Sequence, residues 1–289
     1  MTFDPDICRS LLFVPAANER YLASALRGDA DVIQIDLEDA ISPERKDEAR
    51  EAARQAVTHI ADAGRVGAVR VNLDDALLPK DLDAVIHDGL AALTVPKVDS
   101  AETLKSVDAA VSTLETDRGL ESGSVRLIAQ IESATGILNA REIAGATPRL
   151  AAMGFGMEDL IADVGGAVDE DALYFPAMQT LYSAREAGVV PIGYLGSITV
   201  YQDVDRFESW IVRARSLGFE GGFCIHPNQV QVLNDVFKPS PDDVLAAQNL
   251  LDAAEAQAEV GVFSHEGRMV DAPVVERARR TMRRHAAFS

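Results

Sequence analysis

The sequence predicts a (β/α)8 TIM barrel with a C-terminal helical lid extension, and three observations carry that expectation. Eight short apolar, β-branched runs punctuate the chain, starting at residues 10, 32, 69, 93, 127, 150, 189 and 222. Their mean step is about 30 residues, the length of one strand-helix unit. The gaps between them are rich in Ala, Glu and Arg with a helical period. Most runs lack alternation, as strands buried on both faces of a parallel sheet do. Eight such units favour a closed barrel over an open sheet.

In chain order the strands are expected at 10–15, 32–37, 69–71, 93–95, 127–131, 150–153, 189–192 and 222–225. The clearest helix spans 43–63: Ser42 is its expected cap, Pro43 suits its first turn, and Ala49, Ala52, Ala53, Ala56, Val57 and Ile60 share one face. Further helices are expected at 101–114, 134–144, 176–186, 204–217 and 227–236. Another helix at 241–259 and a tail from 261 to 289 follow, punctuated by Pro239, Pro241 and Gly261. The division expected is a catalytic barrel over 1–238 and an extension over 239–289.

Composition narrows the function. The 289 residues carry 27 basic and 46 acidic side chains, a formal charge of −19, which repels nucleic acid and anionic lipid at long range. No nucleic-acid or membrane partner is expected, and the longest uncharged run, 187–202, is too short to span a bilayer. Two cysteines, Cys8 and Cys224, and an acidic start suggest neither a disulfide framework nor a secretory leader, so the cytoplasm is the expected compartment. Only five of the basic residues are Lys, which restricts Schiff-base candidates.

In a barrel the chemistry gathers at the carboxyl ends of the strands. Those ends are acidic here: Asp36, Glu38 and Asp39 after the second run, Glu132 after the fifth, Glu158 and Asp159 after the sixth. Arg70 lies in the third run, and Pro96 and Lys97 follow the fourth. Carboxylates crowded at one mouth repel one another, and a divalent cation with oxygen ligands, Mg²⁺ above all, relieves this. Asp39 and Glu158 suit helix caps, whereas Glu132 and Asp159, beside Gly154, Phe155 and Gly156, suit a metal. His226 alone is near a strand end and no Cys/His cluster exists, which disfavours zinc.

With these residues in place the chain resembles the citrate lyase beta-subunit-like (CitE-like) proteins of the HpcH/HpaI aldolase superfamily, in its acyl-CoA lyase branch. The resemblance rests on RSLLFVPAANER (9–20), DVIQIDLEDAISPERKDEAR (31–50), VRVN (69–72), VPKV (95–98), AQIESATGILNAREIA (129–144), GFGMEDL (154–160), GFCIHPNQV (222–230) and GRMVDAPVVERA (267–278). It implies Mg²⁺ held by Glu132 and Asp159, and a 2-oxo acid contacted by Arg70 and by the backbone of Gly156 and Met157. Glu38 and Lys97 complete the expected substrate contacts. It further implies a CoA tail near Arg20, Ile225 and Pro227, and Asp271 as an acid/base on a lid from a neighbouring subunit of a homotrimer or hexamer. One position departs from the family: Ser24 stands where members commonly carry a CoA-contacting Lys, with Arg27 one turn on as the substitute.

The activity implied is Mg-dependent retro-Claisen cleavage, or the reverse, of a 3-hydroxy-3-carboxy acyl-CoA such as malyl-CoA or citramalyl-CoA, giving an acyl-CoA and a 2-oxo acid. A carboxylate is a weak base in water, which explains placing it on a cover. The alternatives are a citrate lyase beta subunit acting on citryl-acyl-carrier protein, a malyl-CoA thioesterase, a CoA-independent metal aldolase, and a non-catalytic CoA-binding regulator. Lys97 raises a Schiff-base aldolase, which its acidic surroundings oppose. Asp271 also suits a helix cap, Cys224 and Trp210 read as packing, and the basic run 277–285 as a solvated helix end.

Overall fold

The computed structural model describes residues 3–257 and 262–288, and the chain divides into two compact units, Met1–Asp235 and Val236–Ser289. In the first, β1 (Ser10–Pro15), α1 (Glu19–Arg27), β2 (Val32–Asp36), α2 (Lys46–Asp62), β3 (Val66–Arg70), α3 (Leu78–Val85), β4 (Ala92–Val95) and α4 (Ala101–Asp117) alternate regularly. There follow β5 (Arg126–Ile131), the short α5 (Ala134–Leu138) and α6 (Ala140–Ala144), β6 (Leu150–Phe155), α7 (Met157–Val164), α8 (Glu170–Glu186), β7 (Val190–Ile192), α9 (Val204–Leu217), β8 (Gly222–Cys224) and α10 (Pro227–Phe237). All eight strands are parallel, in the order β7-β6-β5-β4-β3-β2-β1-β8. A single bridge between Ile192 and Gly221 closes the ring. The chain is a (β/α)8 barrel.

Period two sorts each strand into an outward face and an axial face. Low on the axis, Leu11, Val32, Ala68, Ala92, Ile128, Ala152 and Val190 share one apolar core. Two residues further along β2, β4 and β5 the axis turns polar, with Gln34, Thr94 and Gln130 all buried and the Thr94 hydroxyl donating to Gln34 Oε1 at 2.5 Å. One step higher stand Asp36, Arg70 and Glu132. The axis thus runs from hydrocarbon to charge, ending at the rim where the strands end.

Several boundaries differ from the sequence expectation, each for a local reason. The third strand begins at Val66, not 69, because Gly67 interrupts the apolar pattern while leaving room for Ile60 of α2, 3.2 Å from where its Cβ would sit. Ser42 makes no side-chain cap bond: Pro43–Arg45 form a 3-10 turn and α2 begins at Lys46. The helix expected over 134–144 is two, broken at Asn139, whose amide donates to the Asp99 carbonyl at 2.9 Å. The helix expected from 176 starts at Glu170, where Asp169 caps it by accepting from the Asp171 amide, and Pro176 is carried inside.

In the second unit, α11 (Pro241–Glu255) opens with a capping box between Ser240 and Asp243. The helix expected to 259 stops at Glu255, with Ala256 as its C-cap and Gln257 in a turn; 258–259 and Gly261 lie outside the described residues. A hairpin not foreseen from the sequence follows: β9 (Phe263–His265) pairs with β10 (Arg268–Val270) across Glu266 and Gly267, both at positive φ, the two-residue turn whose twist matches the strands. Asp271 then accepts from the Val274 amide at 3.4 Å and caps α12 (Ala272–Ala287). Among the described residues no helix is long and apolar enough to cross a membrane.

Candidate active site

The carboxyl ends of the strands surround a cavity of about 990 Å³. Arg70, Gly156, Met157, Asp159, Arg20, Ile225 and Pro227 all line it, so β3, the start of α7, α1 and the β8 loop bring seven of the expected residues together. Glu132, Glu38 and Lys97 stand just behind this lining, through contacts described next. Asp271 belongs to the other unit.

Arg70 organises the charged rim. The parallel register puts it opposite Asp36 on β2, and its Nε and Nη2 donate to the two Asp36 oxygens at 2.8 Å each, a bidentate fork. Its Nη1 lies 3.0 Å from Glu38 Oε2, and its guanidinium sits 4.5 Å from the Phe13 ring centre. Burial alone disfavours the Arg70 charge, yet Asp36, then Glu38 and Asp39, hold it more firmly protonated than a free guanidinium. Asp36 also accepts from the amides of Glu38 and Ala40, so one carboxylate fixes both the turn after β2 and the Arg70 fork.

Lys97 Nζ donates to Glu38 Oε1 at 2.6 Å and lies 3.6 Å from Asp39. Partial burial lowers its proton affinity, but Glu38 and Asp39 more than reverse this and the amine is held above its ordinary pKa. That is the opposite of what a Schiff-base lysine needs. Its backbone is left-handed, φ 52°, a conformation costly for a residue with a side chain. The expectation that Asp39 caps a helix is therefore corrected: it joins the ion-pair row. Glu38 itself is pushed above the usual carboxylate range, chiefly by burial.

Glu132 is 4% exposed, and neither of its carboxylate oxygens has a hydrogen-bond partner among the described residues. Burial first, then the charges of Glu38 and Asp159, push its carboxyl up to about 8. Gly156 makes room for it, since a Cβ there would lie 2.6 Å from Glu132 Oε1. The Gly156 amide donates to the Ile131 carbonyl at 2.8 Å. The Met157 amide is the first on the free N-terminus of α7, where helical geometry supplies no partner. Gly156, not Glu158, is the N-cap of α7; Glu158 accepts from the Ser197 hydroxyl at 2.5 Å and ties α7 to the β7 loop.

At the mouth, Arg20 and Arg27 of α1 are exposed cavity-lining cations, with no ion pair among the described residues, and Ser24 lies between them. Tyr201 and His226 stack with ring centres 4.9 Å apart. Gln229, nearly inaccessible, joins the two loops beneath that stack: its amide donates to the carbonyls of Ile198 and Val200 and its oxygen accepts from the Ile225 amide.

Sequence reasoning missed the support behind the β2 turn. Lys46 Nζ donates to the carbonyls of Leu37 and Glu38, both at 2.7 Å, and to Asn72 Oδ1 at 2.8 Å. Asn72 in turn donates to Asp81, which accepts from Arg50 Nε at 2.7 Å. A positive side chain at the first position of a helix opposes the dipole, and that misplacement was the one readable signal.

The chain as a whole is similar to known proteins. Residues 9–227 match the model of the HpcH/HpaI aldolase/citrate lyase family. The chain belongs to this family. It is 34% identical over 284 residues to the citrate lyase subunit beta of Haemophilus influenzae, covering 96% of each chain. To the L-malyl-CoA/beta-methylmalyl-CoA lyase of Rhodobacter capsulatus it is 32% identical over 295 residues, covering 93% of this chain and 92% of the other. The structure of Mycobacterium tuberculosis CitE in complex with magnesium, acetoacetate and coenzyme A superposes with a TM-score of 0.73 at 28% identity, covering 96% and 97% of the two chains. As a member of the HpcH/HpaI aldolase/citrate lyase family the protein is a carbon-carbon lyase.

Proposed function

We propose that the protein cleaves or forms a 3-hydroxy-3-carboxy acyl-CoA thioester, exchanging it with an acyl-CoA and a 2-oxo acid, in a Mg²⁺-dependent reaction. The observation that carries the reading is the Glu132 carboxylate: two buried oxygens without partners among the described residues, feeling the charge of Asp159, just behind the wall of a cavity that Arg70, Gly156 and Asp159 line. Leaving a buried carboxylate unpaired is costly, and a hard cation matches its oxygens. Among the described residues no three His, Cys, Asp or Glu side chains converge on one point, which suits an ion that takes one or two carboxylates and fills its shell with water and substrate oxygens. Bound there by Glu132 and Asp159, Mg²⁺ would polarise a 2-oxo acid carbonyl as a Lewis acid.

The chain's own groups supply the rest. Arg70, locked by Asp36, presents fixed positive charge where oxygen gains electron density. The Met157 amide offers a donor to the oxo-acid carboxylate. Arg20 and Arg27 meet the phosphates of the thioester's nucleotide tail, with the Tyr201 and His226 stack alongside. Asp271, delivered by a neighbouring subunit of a trimer or hexamer, moves the proton alpha to the thioester. Assaying a panel of 3-hydroxyacyl-CoA thioesters for 2-oxo acid release, with and without EDTA, tests the proposal: one substrate is expected to react, and chelation to abolish it. Release that survives chelation refutes the metal's role.

The identity to citrate lyase beta subunits supports a second reading, a subunit acting on a citryl thioester of an acyl-carrier protein. Affinity purification from the native cell separates the two, since the second requires partner subunits to co-purify.

A further inference from the structure

We infer that a second cleft, on the far side of the loop after β7, binds an α-amino acid and passes its occupancy to the lyase site. The binding half stands without the lyase reading, and the coupling half rests on it.

The cleft has a volume of about 220 Å³ and shares no lining residue with the active-site cavity. That is below the size of a pocket for drug-like ligands, so it suits a small metabolite. The start of α8 contributes Asp169, Glu170 and Asp171, and α9 contributes Arg206, Trp210 and Arg213. Leu195 and Gly196 of the β7 loop complete the wall toward the barrel.

Charge decides its chemistry. Glu170 is already engaged: it accepts from the Trp210 indole N–H at 3.1 Å and pairs with Arg213. Arg206 is held in place, its guanidinium 5.1 Å from the Trp210 ring and its backbone amide donating to Asp203, yet it makes no ion pair among the described residues. Asp169 uses one oxygen to cap α8 through the Asp171 amide at 2.8 Å, and neither Asp169 nor Asp171 meets a cation among the described residues. Opposite charges thus line one cleft without closing on each other. A bare anion entering it meets three carboxylates, and a bare cation meets two guanidinium groups. An α-amino acid satisfies both signs, its carboxylate on Arg206 and its ammonium on the second oxygen of Asp169. Two unpaired carboxylates against one unpaired guanidinium favour a further positive charge, so a basic amino acid ranks above a neutral one and an acidic one comes last.

The route to the active site is one loop long. A Cβ on Gly196 would overlap the Trp210 ring, so the loop backbone rests directly on the cleft's aromatic wall. The next residue, Ser197, donates to Glu158 of α7 at 2.5 Å, while Ile198 and Tyr201 line the active-site cavity. A ligand seated against Leu195 and Gly196 favours one placement of this loop over others and thereby biases the cavity wall, and the bias acts equally in both directions.

Titration calorimetry on the full chain tests the binding, with lysine, serine and glutamate as probes. Ethanolamine and 3-hydroxypropionate join them, being serine without its carboxylate and without its ammonium. Lysine is expected to bind tightest and serine next, with the other three weaker than serine by about tenfold or more. Arg206→Gln and Asp169→Asn should each weaken lysine by about tenfold or more, and Asn keeps the α8 cap. Mere attraction of lysine to an acidic chain would instead strengthen in Arg206→Gln. No binding by any amino acid, glutamate as tight as lysine, or variants that bind lysine like wild type overturns the inference. For the coupling, saturating lysine should change KM for malyl-CoA or citramalyl-CoA, whichever reacts, by about fivefold or more. Arg206→Gln should show the wild-type KM without lysine and no response to it. Bound lysine that leaves KM and kcat unmoved overturns the coupling. No turnover of any thioester refutes the lyase reading and the coupling with it, while calorimetry still decides the cleft.

Discussion

Gly156 shows how much one hydrogen in place of a methyl group decides. Its backbone, at φ −88°, tolerates any residue, so Gly156→Ala is expected to fold normally while its new methyl group displaces Glu132. Mg²⁺ titration by calorimetry should show affinity reduced by about tenfold or more. Asp271 permits a cleaner separation of structure from chemistry. Asn caps helices as well as Asp does, so Asp271→Asn should keep the thermal midpoint yet lower turnover by orders of magnitude. Asp271→Ala should lose the cap as well, about 1 kcal/mol. Unchanged turnover in the Asn variant would remove Asp271 from the mechanism. Away from the site, buried Glu115 accepts from Arg149 and from the Gly123 and Val125 amides. Burial opposes its charge, but Arg149 and those amides hold its carboxyl below the usual range. A lowered folded pKa contributes stability above the unfolded value near 4.5 and loses it as pH falls through the folded one. Glu115→Gln is therefore expected to cost about 3 kcal/mol at neutral pH. Its thermal midpoint should change less than wild type's on acidification below about pH 4.5.

At the scale of elements, the β2 turn is the part whose geometry most needs help. It carries Glu38 and Asp39, and Lys46 grips its carbonyls from the start of α2. Partial burial lowers the Lys46 pKa despite several acidic neighbours. Lys46→Met should reduce stability by about 2 kcal/mol, the scale of charge-assisted hydrogen bonds to buried acceptors. It should also raise KM for the oxo acid more than it lowers kcat; a fall in kcat alone, with KM intact, would refute a positioning role. This network also marks the limit of what the sequence discloses. The strands were legible because apolar runs and their spacing are local, and Glu132 and Asp159 stood out because one directly follows such a run and the other sits just past the Gly154, Phe155 and Gly156 turn. That Asp36 pairs with Arg70, or that Lys97 seeks Glu38 instead of Glu132, depends on strand register and barrel closure, which no single window of residues contains. The Asn72, Asp81 and Arg50 links were hidden for the same reason. Conversely, the start of α8 was readable from Asp169, Glu170 and Asp171, a cap followed by an acidic first turn, but Pro176 masked it. The hairpin before Asp271 was short enough to pass as loop.

For the molecule as a whole, the ring is unevenly closed. The pairs β1 with β2 and β2 with β3 run five residues each, whereas β7 meets β8 through one bridge. Hydrogen exchange should therefore open the Gly193 amide, bonded to Gly221 across that seam, before the amides of β2 and β3. Slower exchange at the seam would mean that loop packing, not strand pairing, governs closure. The loop that leaves this seam presses the Gly196 backbone flat against the ring of Trp210, so closely that a methyl group there would overlap it. Trp210 is the chain's sole tryptophan, its indole N–H donates to Glu170 at 3.1 Å, and the next residues of the loop, Ser197 and Ile198, reach Glu158 and the cavity wall. A fluorophore thus stands against the loop that leaves the barrel's most sparsely paired seam. Its emission offers an unlabelled optical reading of whether ligands entering the mouth stiffen that wall or pry it away.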